Sequence, residues 1–413
     1  MMTMPADSGS QPNYRWVIVV ATAAMLAIAM GVMVNGISVF FTPLQFEFHW
    51  DRGSVSLINF AGLVGLAMGG IVMGRIADLT STRRVSLFGA GVFGLCMLVA
   101  AHADTLWQLC TLFFVAGFLG AGALFAPLIA NVGSWFGTGA GLALGITAAG
   151  QALGQGGVPF GTAILIDTFG WRGALTVIGV IALVVLVPLA MLVRQPPTLS
   201  QVQASGQSGA LDSSSVALPT GMVILWLSAA VLFCCTCMSV PLMHLVPLIQ
   251  DCGYSAEEAS SVAFLMLTVA VAGRVAFGKL ADMIGAIPAY LLASFWQTVL
   301  VIGFIQIQGL NTFYGFAAIF GFGYAGVMTG LLVTVRSLIP ASRRASALGI
   351  VMVFAWLGHA IGGYQGGYFF DLIGDYSISY LVAALGGLIN LMIVGSLYFV
   401  SAHRTTNLVQ VGA

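Results

Sequence analysis

The sequence predicts an all-α polytopic membrane protein, with twelve transmembrane helices in two pseudo-symmetric six-helix bundles. Of its 413 residues, 59% are hydrophobic and only 6% charged. A soluble domain carries about 25% charged residues, so this chain has too little charged surface to stay in water. Apolar runs of about 20 residues, enough to cross a hydrocarbon core about 30 Å thick, recur from end to end. The two halves of the chain also repeat one another. The same composition excludes a soluble enzyme and a disordered scaffold. With net charge zero and a pI near 6.9, no basic face offers itself to nucleic acid.

The apolar runs fall at 16–41, 54–77, 86–101, 106–133, 141–164, 172–193, 220–245, 257–280, 288–307, 311–338, 346–370 and 377–400. Unpaired backbone is not tolerated in lipid, and continuous runs without two-residue alternation are helices rather than barrel strands. An even number of spans places both termini on one side. Taking that side as the cytoplasm puts Arg15, Arg75, Arg83, Arg84, Arg194, Lys279, Arg336, Arg343, Arg344 and Arg404 inside, and Arg52 and Arg172 outside. The positive-inside rule then sets both termini in the cytoplasm, and the expected location is the cell (inner) membrane. The first span is too long for a signal-peptide core, so no cleavage is expected. Five of the six cysteines lie in or beside apolar spans. They imply no disulfide framework, and the Cys234/Cys237 pair reads as small packing residues rather than a metal site.

The one long polar interruption, 195–219, contains Pro196, Pro197, Pro219 and several Ser and Gln. It reads as a linker between an N-terminal bundle (1–194) and a C-terminal bundle (220–413). The halves match at a constant offset of 204 residues: Pro43 to Pro247, Gly145 to Gly349, Gly154 to Gly358, Asp167 to Asp371 and Gly170 to Gly374. Gly74-Arg75-Ile76-Ala77-Asp78 likewise maps to Gly278-Lys279-Leu280-Ala281-Asp282. Such repeats are typical of secondary transporters, which rock one half against the other around a midplane site.

The paired GRIAD and GKLAD segments, the first continuing to Arg83 and Arg84, resemble the loop motif of the major facilitator superfamily. Leu79 stands where a basic residue is usual and Ser81 where glycine is usual. A narrower set also stands out: Asn13-Tyr14-Arg15-Trp16, Trp135-Phe136 before Gly141–Gly150, Phe169-Gly170-Trp171-Arg172, and Arg274 four residues before the GKLAD glycine. It resembles the monocarboxylate transporter family and its bacterial relatives, including the oxalate–formate antiporter. The resemblance implies that Arg274 binds a substrate carboxylate, and that Asp78, Arg83 and Asp282 act as gates on the cytoplasmic side. Where the animal carriers have an aspartate one turn before this arginine, the chain has Ala270; where they have a lysine in span 1, the nearest position is Asn35. Ala355 stands where the antiporter has a second cation, Tyr324 matches its span-10 tyrosine, and Phe125 replaces a span-4 tyrosine.

Arg274 is the one cation left within a span once the cations at span ends are assigned to the two sides. An arginine at mid-span costs about 2.5–3.5 kcal/mol and is a functional candidate by default. Its planar fork fits a carboxylate through two parallel hydrogen bonds. The matching position in the first half is Gly70, so the charge breaks the repeat. One core cation suits a monocarboxylate better than a dicarboxylate. Asn35, Gln151, Gln155, Tyr324 and His359 are further cavity candidates, with interhelical hydrogen bonding as the competing role. Phe125 gives the cavity an apolar wall. His244, which titrates near neutrality, and the loop acid Asp251 are the candidates for proton coupling, with His359 behind them. Glu257 and Glu258 belong at the N-terminus of span 8, where acids favour the helix dipole.

The expected activity is proton-coupled carriage of a small monocarboxylate such as lactate or pyruvate, by a monomer whose partners are the organic anion, protons and the bilayer. Anion exchange of the oxalate–formate type is equally electroneutral. Drug efflux is disfavoured by the order Gly154-Gln155-Gly156-Gly157-Val158-Pro159 in span 5, and a sensor by the short tails. No Walker loop, catalytic constellation, metal cluster or cofactor motif is read, so the chain is expected not to be an enzyme.

Overall fold

The computed structural model describes residues 11–136, 140–195, 219–340 and 343–411. The linker expected at 195–219 lies outside these apart from its two end residues. Among the described residues there is no strand. Eleven continuous helices are long and apolar enough to cross a membrane, and one, Ala143–Leu192, is two helices in series. Gly170 breaks it at φ 69°, ψ 172°, outside helical space and in a region that suits a residue without a β-carbon. The twelve expected spans follow. They are α1 (Tyr14–Val39), α2 (Arg52–Leu79), α3 (Thr82–Ala100), α4 (Leu106–Ser134), α5 and α6 on either side of Gly170, α7 (Thr220–Asp251), α8 (Ala256–Ile284), α9 (Ala286–Gln306), α10 (Leu310–Leu338), α11 (Ala347–Ile373) and α12 (Ser377–Ser401).

The repeat holds in the backbone at the same offset. Gly170 and Gly374 both take positive φ, as do His49 and Gly253. Asp51 caps α2 by accepting from the Ser54 N–H at 2.7 Å, and Ser255 caps α8 by accepting from Glu258 N–H at 3.1 Å. Glu258 completes a capping box with Ser255, so the acids at the start of α8 sit where the helix dipole favours them. A β-carbon on Gly69 would strike the Phe118 carbonyl, and one on Gly273 the Phe322 carbonyl. Thus α2 crosses α4, and α8 crosses α10, at equivalent points that only glycine permits.

One end of the molecule carries Asp51, Asp104, Asp251 and Asp375 (the Asp51 end); the other carries the Leu79–Thr82 turn (the Arg83 end). In the N-terminal bundle the Asp51 end is tied by Arg172. Its guanidinium donates to Glu47 at 2.9 Å, to Asp104 at 3.0 Å and to the carbonyls of Ala101 and Ala103. Trp171 donates its indole N–H to the same Glu47. That bond first, and then the guanidinium, hold the Glu47 carboxyl below the usual carboxylate range. The Phe-Gly-Trp-Arg segment is therefore a clamp on three loops.

Helix α1 is not regular. Gly31–Asn35 is a π-helical turn and Gly36–Val39 a 3-10 turn. The Asn59 amide of α2 donates to the Met33 and Val34 carbonyls at 2.9 and 3.2 Å, satisfying groups that the wide turn turns outward. This distortion places Asn35.

Candidate functional site

Arg274 reaches across the interface between the halves. Its Nη1 donates to the Ala148 carbonyl of α5 at 2.9 Å, and its Nε is buried without a partner. A guanidinium has five N–H donors, and one of them is used. Among the described residues no carboxylate pairs with it; the ion pairs there involve Arg52 and Arg172. The Thr329 hydroxyl of α10 donates to the Arg274 backbone carbonyl at 3.4 Å, which sets α10 beside it. Tyr324 is 3% exposed and stacks on Phe320, with ring centroids 5.6 Å apart. Gln151 lies one turn along α5 from Ala148, half-buried.

Phe125 of α4 meets Trp356 of α11 across the two halves, edge to face at 5.3 Å. The His359 ring lies 5.8 Å from Trp356, and its Nδ1 is buried without a hydrogen bond. The first half's counterpart of Arg274, Gly70, has Ala126 as its nearest neighbour, so Phe125 sits at the corresponding depth. Phe125, Trp356 and His359 therefore form one cluster across the halves, and Arg274 with its Ala148 contact, Gln151 and Tyr324 forms another. Trp356 is the member that sequence reasoning missed, because a tryptophan in an apolar span has no distinguishing pattern.

Asn35 contacts α5 further along than Arg274 does. Its Nδ2 donates to the Gln155 carbonyl at 3.2 Å, while its Oδ1 is buried and unpartnered. Gln155 is seven residues along α5 from Ala148, about 10 Å at 1.5 Å per residue. Asn35 thus makes an interhelical bond further along α5 from the Arg274 contact, with its Oδ1 left unpartnered.

The proton-coupling candidates converge at the Asp51 end. Asp251 is the last residue of α7 rather than a free loop acid, and it takes two bonds from Arg52 of α2, at 2.5 and 2.7 Å. Arg52 Nη1 also donates to the Tyr376 hydroxyl at 2.7 Å. His244 is fully buried. Its Nδ1 lies 3.1 Å from that hydroxyl and its Nε2 lies 2.7 Å from the Gly363 carbonyl. A neutral imidazole with its proton on Nε2 satisfies both contacts. Asp371 accepts from the Arg52 and Gly53 backbone N–H groups at 2.8 and 2.5 Å. Arg52 and Tyr376 were not singled out from sequence. At the Arg83 end, Asp78, Arg83 and Asp282 are all exposed, and none makes an ion pair among the described residues. The polar ties between the halves are thus concentrated at the Asp51 end.

Twelve spans in two matched halves, with an arginine inside a span reaching across the seam, define a polytopic carrier. A family model described as Major Facilitator Superfamily matches residues 21–312 and 225–413, and the chain belongs to that superfamily. Among curated relatives, rat monocarboxylate transporter 13 is 26% identical over 92% of this chain and 87% of its own length. An uncharacterised MFS-type transporter of Bacillus subtilis, YcxA, is 26% identical over 89% of this chain and 91% of its own. A bacterial homologue of the lysosomal transporter Spinster, solved inward-facing and occupied, superimposes with a TM-score of 0.69 at 15% identity, covering 96% of this chain and 98% of its own; it shares the fold. The relatives are transporters, and this chain is a multi-pass membrane transporter rather than an enzyme.

Proposed function

We propose that the chain carries a small monocarboxylate, such as lactate or pyruvate, across the cell (inner) membrane by alternating access, with a proton as cosubstrate. The observation that carries this reading is the Arg274 guanidinium, set between the halves with one carbonyl partner and a buried, unpaired Nε. Two parallel bonds to a carboxylate would satisfy donors that the protein leaves free. The absence of a second cation beside it among the described residues suits one carboxylate. Phe125 and Trp356 form an apolar wall for the ligand's carbon chain, and Tyr324, Gln151 and His359 supply polar contacts. Asn35, whose Oδ1 is buried and unpartnered, adds a polar contact further along α5.

Co-binding one proton makes loaded transit electroneutral, avoiding about 2.3 kcal/mol per charge per 100 mV. His244 and Asp251 are the proton-coupling groups of this reading, released when the Asp51 end opens. The basic-rich Arg83 end faces the cytoplasm by the positive-inside rule, with both termini there. Asp78, Arg83 and Asp282 then guard the cytoplasmic mouth, unpaired while that mouth is open. The halves 1–194 and 220–413, joined by 195–219, are the moving bodies of a functional monomer.

The test is uptake of labelled lactate, pyruvate, acetate and oxalate into proteoliposomes, with and without a pH gradient, for the wild type and Arg274→Ala. Accumulation of a monocarboxylate that needs the gradient and is lost in the variant supports the reading. Accumulation that needs an internal counter-anion instead makes the protein an exchanger. Native-rate lactate uptake by Arg274→Ala removes the carboxylate dock.

A further inference from the structure

The Arg172 clamp and the Arg52 network are the same construction built twice, once with its own arginine and once without. At the offset of 204 residues, Glu47 corresponds to Asp251, Arg172 to Tyr376 and Asp167 to Asp371. In the first half, Arg172 fills its own socket and bonds Glu47 at 2.9 Å. In the second half the arginine position is Tyr376, and Asp251 has no arginine from its own half. Arg52, from the other half, occupies the place. It bonds Asp251 through both guanidinium nitrogens and donates to the Tyr376 hydroxyl. It also lies over the Phe370 ring, 3.8 Å from the centroid. Its side chain is only 9% exposed.

We propose that Arg52 is the residue that holds the Asp51 end shut, by docking into a second-half socket that has lost its own arginine. An arginine held within its own half, as Arg172 is, would clamp loops permanently. One borrowed from the facing half makes the same bonds only when the halves meet. Replacing an arginine by tyrosine at position 376 thus converts a static clamp into a releasable latch. The Tyr376 hydroxyl, which accepts from Arg52, also joins the latch to the buried His244. Asp371 adds a backbone component by receiving the first two N–H groups of α2. Closure of the Asp51 end in this way is independent of the substrate.

The latch predicts opposite designs with one outcome. Arg52→Ala removes the bolt. Tyr376→Arg restores to the second half the arginine its repeat partner has, fills the Asp251 socket from within, and expels Arg52. Both should open the Asp51 end. The probe is a maleimide reacting with a thiol introduced by Ser56→Cys, in a Cys252→Ser background. Ser56 is fully buried, one turn along α2 from Arg52 and against Gly367 of α11. Cys252 is the exposed native thiol, and Cys96, Cys110, Cys234, Cys235 and Cys237 are buried. Mass spectrometry of the purified full chain in detergent reads each site. Labelling of the introduced thiol should rise about tenfold or more in both variants, the effect of losing one charge-assisted pair, while the five buried thiols stay unreactive. Unchanged labelling in both variants overturns the proposal. A rise with Arg52→Ala alone overturns the equivalence of the sockets. A rise accompanied by labelling of Cys96 or Cys234 means that the variants unfold rather than open, and also overturns the latch. None of these readouts needs substrate, so failure here leaves the carboxylate assignment standing, and the reverse holds too.

Discussion

Arg274→Met separates a functional cation from a structural one. Methionine keeps most of the stem's volume and removes the charge. Two terms decide the stability change. Arginine at mid-span costs about 2.5–3.5 kcal/mol, and the single bond from Nη1 to the Ala148 carbonyl returns about 1.5–3 kcal/mol as a charge-assisted hydrogen bond. No ion pair among the described residues adds to the second term. Ala148 lies inside a helix, so its carbonyl keeps its backbone partner when the arginine goes. The variant should therefore be as stable as the wild type, or up to about 2 kcal/mol more stable. Carboxylate binding should suffer in the other direction. Losing two charge-assisted bonds at about 1.5–3 kcal/mol each weakens affinity by at least about a hundredfold. The assay is apparent melting temperature in detergent, with and without millimolar lactate, beside proteoliposome uptake. The wild type should melt higher with ligand; the variant should melt at or above the ligand-free wild type and ignore lactate. A variant that melts several degrees lower means that the guanidinium holds the halves together as structure. That result would refute the argument even if uptake were also lost.

Two further outcomes follow from the bundle itself. The Glu47 carboxyl is held below its ordinary range by Trp171 and then Arg172, so its ionised form stabilises the fold above the unfolded carboxylate pKa, and that contribution disappears as pH falls through the folded value. Glu47→Gln should lower the melting temperature at pH 7 by no more than a partly exposed pair allows, about 1 kcal/mol or less, with the difference closing below about pH 4; a gap that persists at pH 3 assigns the loss to packing. A β-carbon on Gly273 would meet the Phe322 carbonyl, whereas one on Gly91 of α3 meets nothing within 4 Å. Gly273→Ala should thus cost several degrees of melting temperature, and Gly91→Ala should raise it slightly, by up to about 1 kcal/mol of helix propensity; equal melting temperatures for the two would remove the crossing-point argument.

The spans, their number and the repeat were legible because lipid imposes length and apolarity on every crossing, and because an offset of 204 residues aligns residues that only special backbone or polar roles retain. Arg274 was legible for the same reason: a cation in hydrocarbon stands out against its surroundings. The irregular end of α1 was not. Counting residues along α1 assumes a regular rise, and a π-turn followed by a 3-10 turn at Gly31–Val39 breaks that assumption without a proline to announce it. The break at Gly170 was legible from the gap between the apolar runs 141–164 and 172–193 and from its partner Gly374. Arg52 went unremarked because it sits at the first turn of a span, where an arginine reads as an ordinary interfacial charge.

Yet the signal for Arg52 was in the repeat. Pairing the halves residue by residue sets Asp251 opposite Glu47 and Tyr376 opposite Arg172, which shows an acid deprived of its arginine before any coordinates are known. The same comparison sets Arg274 opposite Gly70. Both departures concern a guanidinium that one half has and the other lacks, Arg274 in the second half and Arg172 in the first, and in the folded chain a guanidinium crosses between the halves at each, Arg274 itself to Ala148 and Arg52 to the Asp251 that lacks an arginine of its own. Symmetry explains why this is so. Two identical halves make identical internal contacts, and those contacts are indifferent to whether the halves are together or apart. A contact that reports their relative position has to join them, and a charge removed from one copy leaves an unmet acceptor or donor that the other can meet. The places where a duplicated carrier stops repeating are therefore the places where it can sense a ligand or a conformational state. In this chain the two lie at different depths, one suited to an anion and one suited to a latch.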